Sequence, residues 1–267
     1  VKKGVPVVHV EAGLRSYDRR MPEEINRVLT DQVADRLYIT ERSAAANLQR
    51  EGVAAERIAF VGNVMIDSLL ACREHARPAA ATLRSHDIDP ALLAHPRGYG
   101  VVTLHRPSNV DDAATLRPLL EVLAEVAAQL PLVFAMHPRT RNNIERFGLG
   151  ALLSPAHFAV LPPQGYLEMV GLMNGATLVL TDSGGLQEET TALGVPCLTL
   201  RENTERPITV EQGTNTMVGR DVQAIRSGVA EILAGRGKRG RVPELWDGRA
   251  AERIAADLWQ WLTAGAK

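Results

Sequence analysis

Nine consecutive residues, Thr181-Asp182-Ser183-Gly184-Gly185-Leu186-Gln187-Glu188-Glu189, have the composition of a phosphate site. A short apolar run at 177–180 leads into Ser-Gly-Gly, and a helix-like segment with two glutamates follows. That is the layout of a strand, a tight turn and a helix N-terminus. Free backbone N–H groups and the positive end of the helix dipole face outward at such a turn, and glycine lets an anion approach without a Cβ in the way. Taken alone, Gly184-Gly185 need do no more than make the turn. A second segment changes the balance: Arg201-Glu202-Asn203-Thr204-Glu205-Arg206-Pro207 directly follows the next apolar run, 196–200. Its arginines fall at the same sheet end as the glycine turn, where open α/β sheets hold ligands. A phosphorylated ligand is expected.

Four further polar clusters lie at or near strand ends: His9-Val10-Glu11-Ala12-Gly13-Leu14-Arg15, Pro22-Glu23-Glu24-Ile25-Asn26-Arg27, His105-Arg106-Pro107-Ser108-Asn109, and His137-Pro138-Arg139. Each has an ordinary structural reading. Glu11 could be a capping or ion-pair residue, Glu23 a complement to a helix dipole, and His105 and His137 satisfied histidines at the edge of a core. A shared cleft is the more economical account of all four. An arginine beside each of the two histidines suits a bidentate phosphate clamp.

The elements that must position these groups follow from periodicity. Residues 5–10 read as a buried strand. A helix opens at Met21-Pro22-Glu23-Glu24, with Ile25, Val28, Leu29, Val33 and Leu37 at helical spacing as its apolar face. Strands are expected at 36–40 and 58–61, with a helix at 43–50 between them and another at 67–76. The stretch 77–97, rich in Pro, Ala and charge, reads as the linker and entry to a second unit, with a domain boundary near it. From Gly100 the alternation restarts, with strands at 101–104, 132–136, 159–161, 178–180 and 197–200. Helices at 112–130, 141–147, 166–173, 186–193 and 222–233 alternate with them, and a last helix spans 249–262. Strands alternating with helices imply a parallel, doubly wound α/β sheet. Gly235-Arg236-Gly237-Lys238-Arg239-Gly240 matches a dinucleotide fingerprint as a string, but it follows a helix and reads as a solvated basic loop.

Composition narrows the function classes. A net charge of −1 provides no global field for nucleic acid or an anionic membrane, and 4% aromatic content argues against base-stacking platforms. The seven histidines show no metal-ligand spacing, so no metal and no cofactor are expected. Cys72 and Cys197 read as small core residues of a reducing compartment. With no membrane span or signal peptide in view, a cytoplasmic protein is expected. The opening Val1-Lys2-Lys3-Gly4-Val5-Pro6 reads as the loop before a strand, as though the chain enters mid-domain.

Together, the 9–15, 22–27 and Val61-Gly62-Asn63 segments, His105-Arg106, His137-Pro138-Arg139, the 182–189 turn and Thr204-Glu205-Arg206-Pro207 resemble the non-hydrolysing UDP-N-acetylglucosamine 2-epimerases. The motifs keep that family's order over most of the chain. The resemblance implies a GT-B-like architecture, with two Rossmann-like doubly wound parallel-sheet domains around a cleft. The N-terminal domain is expected to be incomplete. On this reading residues 1–76 are the C-terminal part of the first domain, 77–245 the UDP-binding domain, and 246–267 a helix crossing back to the first.

The resemblance also implies interconversion of UDP-N-acetylglucosamine and UDP-N-acetylmannosamine, serving cell-envelope polysaccharide synthesis, through elimination of UDP and its re-addition to 2-acetamidoglucal. By motif, Glu11 and Glu23 match active-site carboxylates and His105 an active-site histidine. Ser183, Gly184 and Gly185 match the diphosphate turn and Glu189 the ribose-binding glutamate. Arg106, His137 and Arg206 match nucleotide or phosphate contacts, the first two also serving an allosteric substrate site found in some bacterial members. A homodimer is expected of the full-length protein. The family's initial Gly-Thr-Arg-Pro-Glu-like turn and a later Gly-Asp loop have no counterpart here. Three alternatives stay open: an epimerase of a related UDP-2-acetamido sugar, a GT-B glycosyltransferase, and an inactive UDP-sugar-binding remnant.

Overall fold

A computed structural model describes residues 1–264; residues 265–267, the end of the expected 246–267 span, lie outside the described residues. The first elements are β1 (Val8–Val10), α1 (Pro22–Val33), β2 (Arg36–Ile39), α2 (Arg42–Arg50), β3 (Ile58–Phe60) and α3 (Val64–Arg73). There follow α4 (Ala79–Arg84), β4 (Gly100–Thr103), α5 (Pro107–Val110), α6 (Ala113–Ala127), β5 (Leu132–Ala135), α7 (Pro138–Arg146) and β6 (Phe158–Leu161). Next come α8 (Tyr166–Asn174), β7 (Leu178–Thr181), α9 (Gly184–Leu193), β8 (Cys197–Thr199), α10 (Pro207–Glu211) and β9 (Asn215–Met217). The last two helices are α11 (Val222–Leu233) and α12 (Ala250–Ala264). Among the described residues no helix is long and apolar enough to cross a membrane.

Contacts divide the chain into two compact units. The first comprises Val1–Ala71, Thr204–Ile208 and the chain from Val242 onward; the second comprises Cys72–Asn203 and Thr209–Arg241. In the first unit β1, β2 and β3 form a parallel sheet in sequence order. Leu37, Ile39, Ala44 and Leu48 make its small core. Helix α12 is fastened to this unit by polar contacts. The carboxylate of Asp67 accepts from the amides of Ala250 and Ala251 at the helix start, at 3.1 and 2.7 Å, while Asp257 takes the Arg36 guanidinium and the Tyr38 hydroxyl.

The second unit holds a six-stranded parallel sheet in the order β6-β5-β4-β7-β8-β9. The chain winds outward from β4 to β6, then returns to the other side of β4 with β7, which is the doubly wound Rossmann order and sets a topological switch point between β4 and β7. Successive strand residues point to opposite faces. Val102, Phe134, Leu180 and Leu198 pack with Leu116, Leu120, Ile225 and Val229 of α6 and α11 on one face. Val101, Val133, Leu161 and Val179 pack with Leu172 and Met173 of α8 on the other. Burial on both faces explains why these strands read as continuous apolar runs.

Two local expectations are corrected. Residues 77–97 do stand at the entry to the second unit but are not a linker: α4 and a 3₁₀ turn at Pro90–Ala94 lie there, and Leu83, fully buried, joins Ile88, Leu92 and Leu93 against the α8 face of the sheet. The alanine and proline content concealed the apolar anchors. In α1 Ile25, Leu29 and Val33 face outward at 40, 60 and 51% exposure and Val28 is half-buried, while Glu24 and Asp31 are buried; Leu37, expected on the same face, lies in β2 with no exposure. The inward face of that helix meets backbone donors and an arginine, which require carboxylates.

The basic loop at 235–240 follows α11 rather than a strand. It is only partly solvated, because the half-buried Lys238 ammonium donates to the Val210 and Asn215 carbonyls. Leu83→Ala should lower the stability of the second unit by about 2–5 kcal/mol, the cost of a buried leucine truncation. A denaturant titration with unchanged m value checks this; a solvated linker position would move the midpoint negligibly.

Candidate functional site

In the second unit the neighbouring strands at the switch point, β4 and β7, end in His105-Arg106 and Asp182-Ser183. Thr103 and Thr181 pair in register, and their hydroxyls meet at 2.6 Å. Asp182 has no exposure to solvent. Its carboxylate accepts from the amides of His105 (3.0 Å) and Arg106 (2.8 Å), from the Asn109 side-chain amide (3.0 Å), and lies 2.8 Å from His105 Nδ1. Burial pushes the Asp182 pKa up, but these donors outweigh it and hold the group below its ordinary value. Because a carboxylate only accepts, His105 must carry its proton on Nδ1, which leaves Nε2 as the acceptor in the neutral ring.

His137 has the opposite tautomer. Its Nδ1 accepts from the Arg139 amide at 3.1 Å as the N-cap of α7, so Nε2 carries the proton of the neutral ring. The His105 and His137 ring centroids lie 6.0 Å apart. One unit therefore presents an imidazole acceptor close to an imidazole donor. Arg139 directs its fork to Asp111 and is not a free phosphate clamp.

The glycine turn is formed as its sequence suggests. Ser183, in extended backbone, is the N-cap of α9, and its amide donates to the Thr181 hydroxyl at 2.9 Å. The Ser183 hydroxyl makes no capping bond to the helix, and Gly184 and Gly185 open its first turn. Glu189, one helical turn beyond Gly185, is buried. Burial drives its carboxyl up to about 7; the Tyr166 hydroxyl opposes that shift and Glu188 reinforces it.

In the first unit Glu11 follows β1 directly in a left-handed backbone conformation, φ 66°. Its carboxylate is 3.8 Å from the Arg206 guanidinium, which also receives Glu205 at 2.8 Å. Glu23 is exposed in the first turn of α1 behind Pro22. The structure thus brings Glu11 and Arg206 together in the first unit, and places His105, Arg106, His137, Ser183, Gly184, Gly185 and Glu189 on the second.

A family model described as UDP-N-acetylglucosamine 2-epimerase matches residues 1–258. The chain belongs to the UDP-N-acetylglucosamine 2-epimerase family. A relative of that name from Methanocaldococcus jannaschii is 40% identical over 263 residues, covering 96% of this chain and 69% of the relative. A UDP-2,3-diacetamido-2,3-dideoxy-D-glucuronate 2-epimerase from Pseudomonas aeruginosa is 41% identical over 264 residues, with the same coverages. The crystal structure of the M. jannaschii epimerase in complex with UDP-GlcNAc and UDP superposes with a TM-score of 0.84 at 39% identity, covering 97% of this chain and 70% of that one. The fold class is accordingly the GT-B-like α/β class of these epimerases.

Sequence reasoning quoted Asp182, Asn109, Glu24 and Glu205 without giving them roles, and passed over Asp31. A detectable signal existed for two of them: Glu24 and Asp31 are seven residues apart, hence on one helix face. No such period marks Asp182, whose partners come from a different strand end.

Two outcomes test the electrostatics. Asp182→Ala should destabilise the second unit by about 3 kcal/mol or more, since it strands buried donors. Thermal and denaturant melts read this. The wild-type contribution is present above the unfolded value of 3.8 and is lost as pH falls through the lower folded value. Glu189 has the opposite sign. Between its ordinary 4.5 and about 7 the folded protein holds a proton that the unfolded chain has released, so stability declines as pH rises through that window and levels off above it. Glu189→Gln should flatten that decline in melts taken from pH ~4.5 to ~7.

Proposed function

We propose that this chain carries the UDP-binding turn and the proton-handling groups of a UDP-N-acetylglucosamine 2-epimerase, interconverting UDP-N-acetylglucosamine and UDP-N-acetylmannosamine. The observation that carries the reading is the family match over residues 1–258, a span that includes every candidate group. The C2 proton of the sugar is not beside a ketone and is barely acidic, so inversion needs a route that makes its loss favourable. In elimination a base takes the C2 proton while the C1–O bond breaks, and the electron pair departs with UDP. The resulting 2-acetamidoglucal has a C1=C2 double bond. Returning a proton to the other face of C2 as the UDP oxygen re-forms its bond to C1 gives the epimer.

Two proton-handling groups are required, one for each face. Glu11 and Glu23 fill these roles in this reading, with His105 as the third acid/base or positioning group. Ser183, Gly184 and Gly185 receive the diphosphate at the α9 N-terminus, where amides and helix dipole stabilise the charge that develops on departing UDP. Arg106, His137 and Arg206 supply further phosphate contacts, and the Glu189 carboxyl hydrogen-bonds the ribose hydroxyls. A second reading, epimerisation of a related UDP-2-acetamido sugar acid, is favoured by the 41% identity to the P. aeruginosa diacetamido-glucuronate enzyme.

Incubation with UDP-N-acetylglucosamine in deuterated water should place deuterium at C2, read by proton NMR and mass. Glu11→Gln should slow that exchange about 10²–10⁴-fold. Exchange with the uronic acid substrate alone would select the second reading. No exchange with either, where a known family member exchanges, would overturn both; product formed only with an added acceptor would indicate a glycosyltransferase.

A further inference from the structure

Helix α1 carries the candidate carboxylate Glu23 in its first turn, and its two buried acidic residues face the segment that carries the other, Glu11. Asp31 has no exposure, and both of its oxygens are taken. Oδ1 lies 2.6 Å from His9 Nδ1, while Oδ2 accepts from the Gly13 amide at 3.1 Å and pairs with the Arg15 guanidinium at 2.6 Å. One carboxylate therefore grips the chain two residues before Glu11 and again two and four residues after it. Glu24, 3% exposed, grips the continuation. Oε2 accepts from the amide and hydroxyl of Ser16 at 2.9 and 3.0 Å, and Oε1 accepts from the Tyr17 amide at 2.9 Å. Seven residues separate Glu24 from Asp31, about two turns or ~10 Å along one face of the helix.

The gripped segment needs holding. Glu11 and Tyr17 are non-glycine residues with φ of 66° and 59°, and such left-handed conformations cost about 1–2 kcal/mol each. Gly13, at φ 77°, sits where a Cβ would come within 2.6 Å of the Ala44 carbonyl oxygen. Ala12 donates its amide to the Tyr38 carbonyl at 3.0 Å, which ties the turn to β2. Arg15 is held from the other side by a bidentate pair with Glu51 at 2.8 and 2.6 Å. Burying a carboxylate is costly unless it is fully partnered, and here the partners are the amides of Gly13, Ser16 and Tyr17 and the Arg15 guanidinium, which apolar residues would leave stranded. Both buried acids on α1 bond to the same nine-residue stretch, 9–17.

We infer that Asp31 and Glu24 are positioning residues: they make α1 a splint that sets the Glu11 carboxylate relative to Glu23 on the same helix. This rests on the acid/base roles proposed for Glu11 and Glu23, and it assigns function to two residues that touch no substrate. Displacing a reacting group by about 1 Å is worth on the order of 10²-fold in rate.

The test uses the full chain with Asp31→Asn and Glu24→Gln, near-isosteric changes, each compared with wild type in three measurements. Turnover and C2 exchange should fall about 10- to 100-fold in kcat. UDP affinity by calorimetry should change far less than kcat, within about threefold, because the glycine turn lies in the second unit and neither substitution removes Arg206, the phosphate contact proposed in the first. Amide hydrogen exchange should accelerate at Gly13 in Asp31→Asn and at Ser16 and Tyr17 in Glu24→Gln. An active wild type whose variants keep kcat while their melting temperature drops would overturn the positioning role and leave a merely structural one. Unchanged amide protection would overturn the splint itself, even in a protein without turnover. A wild type that fails to exchange the C2 proton refutes the acid/base assignment, and with it the catalytic part of the inference, whereas the amide measurement still judges the splint. If Asp31→Asn does not fold, Glu24→Gln decides by the same three readouts.

Discussion

A carboxylate shut away from water must be met on nearly every lone pair or it will not stay ionised. The second unit is organised around one such group. Asp182 directly follows β7, but its partners, the amides of His105 and Arg106 and the side chains of His105 and Asn109, all follow β4. Asn109 extends the bond network to the Leu200 carbonyl just past β8 at 2.9 Å. Three strand ends are thereby tied at the switch point where a parallel α/β sheet opens a crevice. The next residue, Ser183, begins the glycine turn. Its placement, the tautomer of His105 and the direction of Nε2 all depend on the same carboxylate.

The first unit repeats the device. Asp31 is equally buried and likewise takes the Nδ1 of a strand-end histidine, His9, together with a backbone amide. In both units a buried aspartate converts loops following parallel strands, which would otherwise be held only by turn geometry, into fixed platforms. Parallel strands end in backbone N–H groups that the sheet cannot satisfy. An aspartate supplies four acceptor sites in a small volume, and a histidine Nδ1–H takes one of them.

Much of this architecture was legible in the sequence. The alternation from Gly100 onward, the Ser-Gly-Gly turn and the Pro22 helix start survive because each is a local signal: strand burial on both faces, glycine at a helix N-terminus, proline in a first turn. The misreadings share a cause. Residues 77–97 carry few but well-placed apolar anchors, so average composition suggested a linker where Leu83 is core. Helix α1 presents a clean apolar stripe, yet Ile25 and Leu29 face outward and Glu24 and Asp31 inward. Periodicity identifies faces, not what each face meets. What α1 meets is a stretch of strained backbone with amides to satisfy, and that is set by tertiary structure alone. The pairing of Asp182 with residues some 75 positions earlier has no local trace either.

Buried aspartates fix the chemistry of neighbouring groups, an effect legible at one nucleus. In a sample with ¹⁵N-labelled histidine, the ring nitrogens of His105 report its tautomer. With the imidazole neutral, Nδ1 should show the shift and coupling of a protonated nitrogen and Nε2 those of a bare acceptor, and Asp182→Asn should abolish that preference. A neutral His105 protonated on Nε2 in the wild-type protein would show that Asp182 does not set its tautomer.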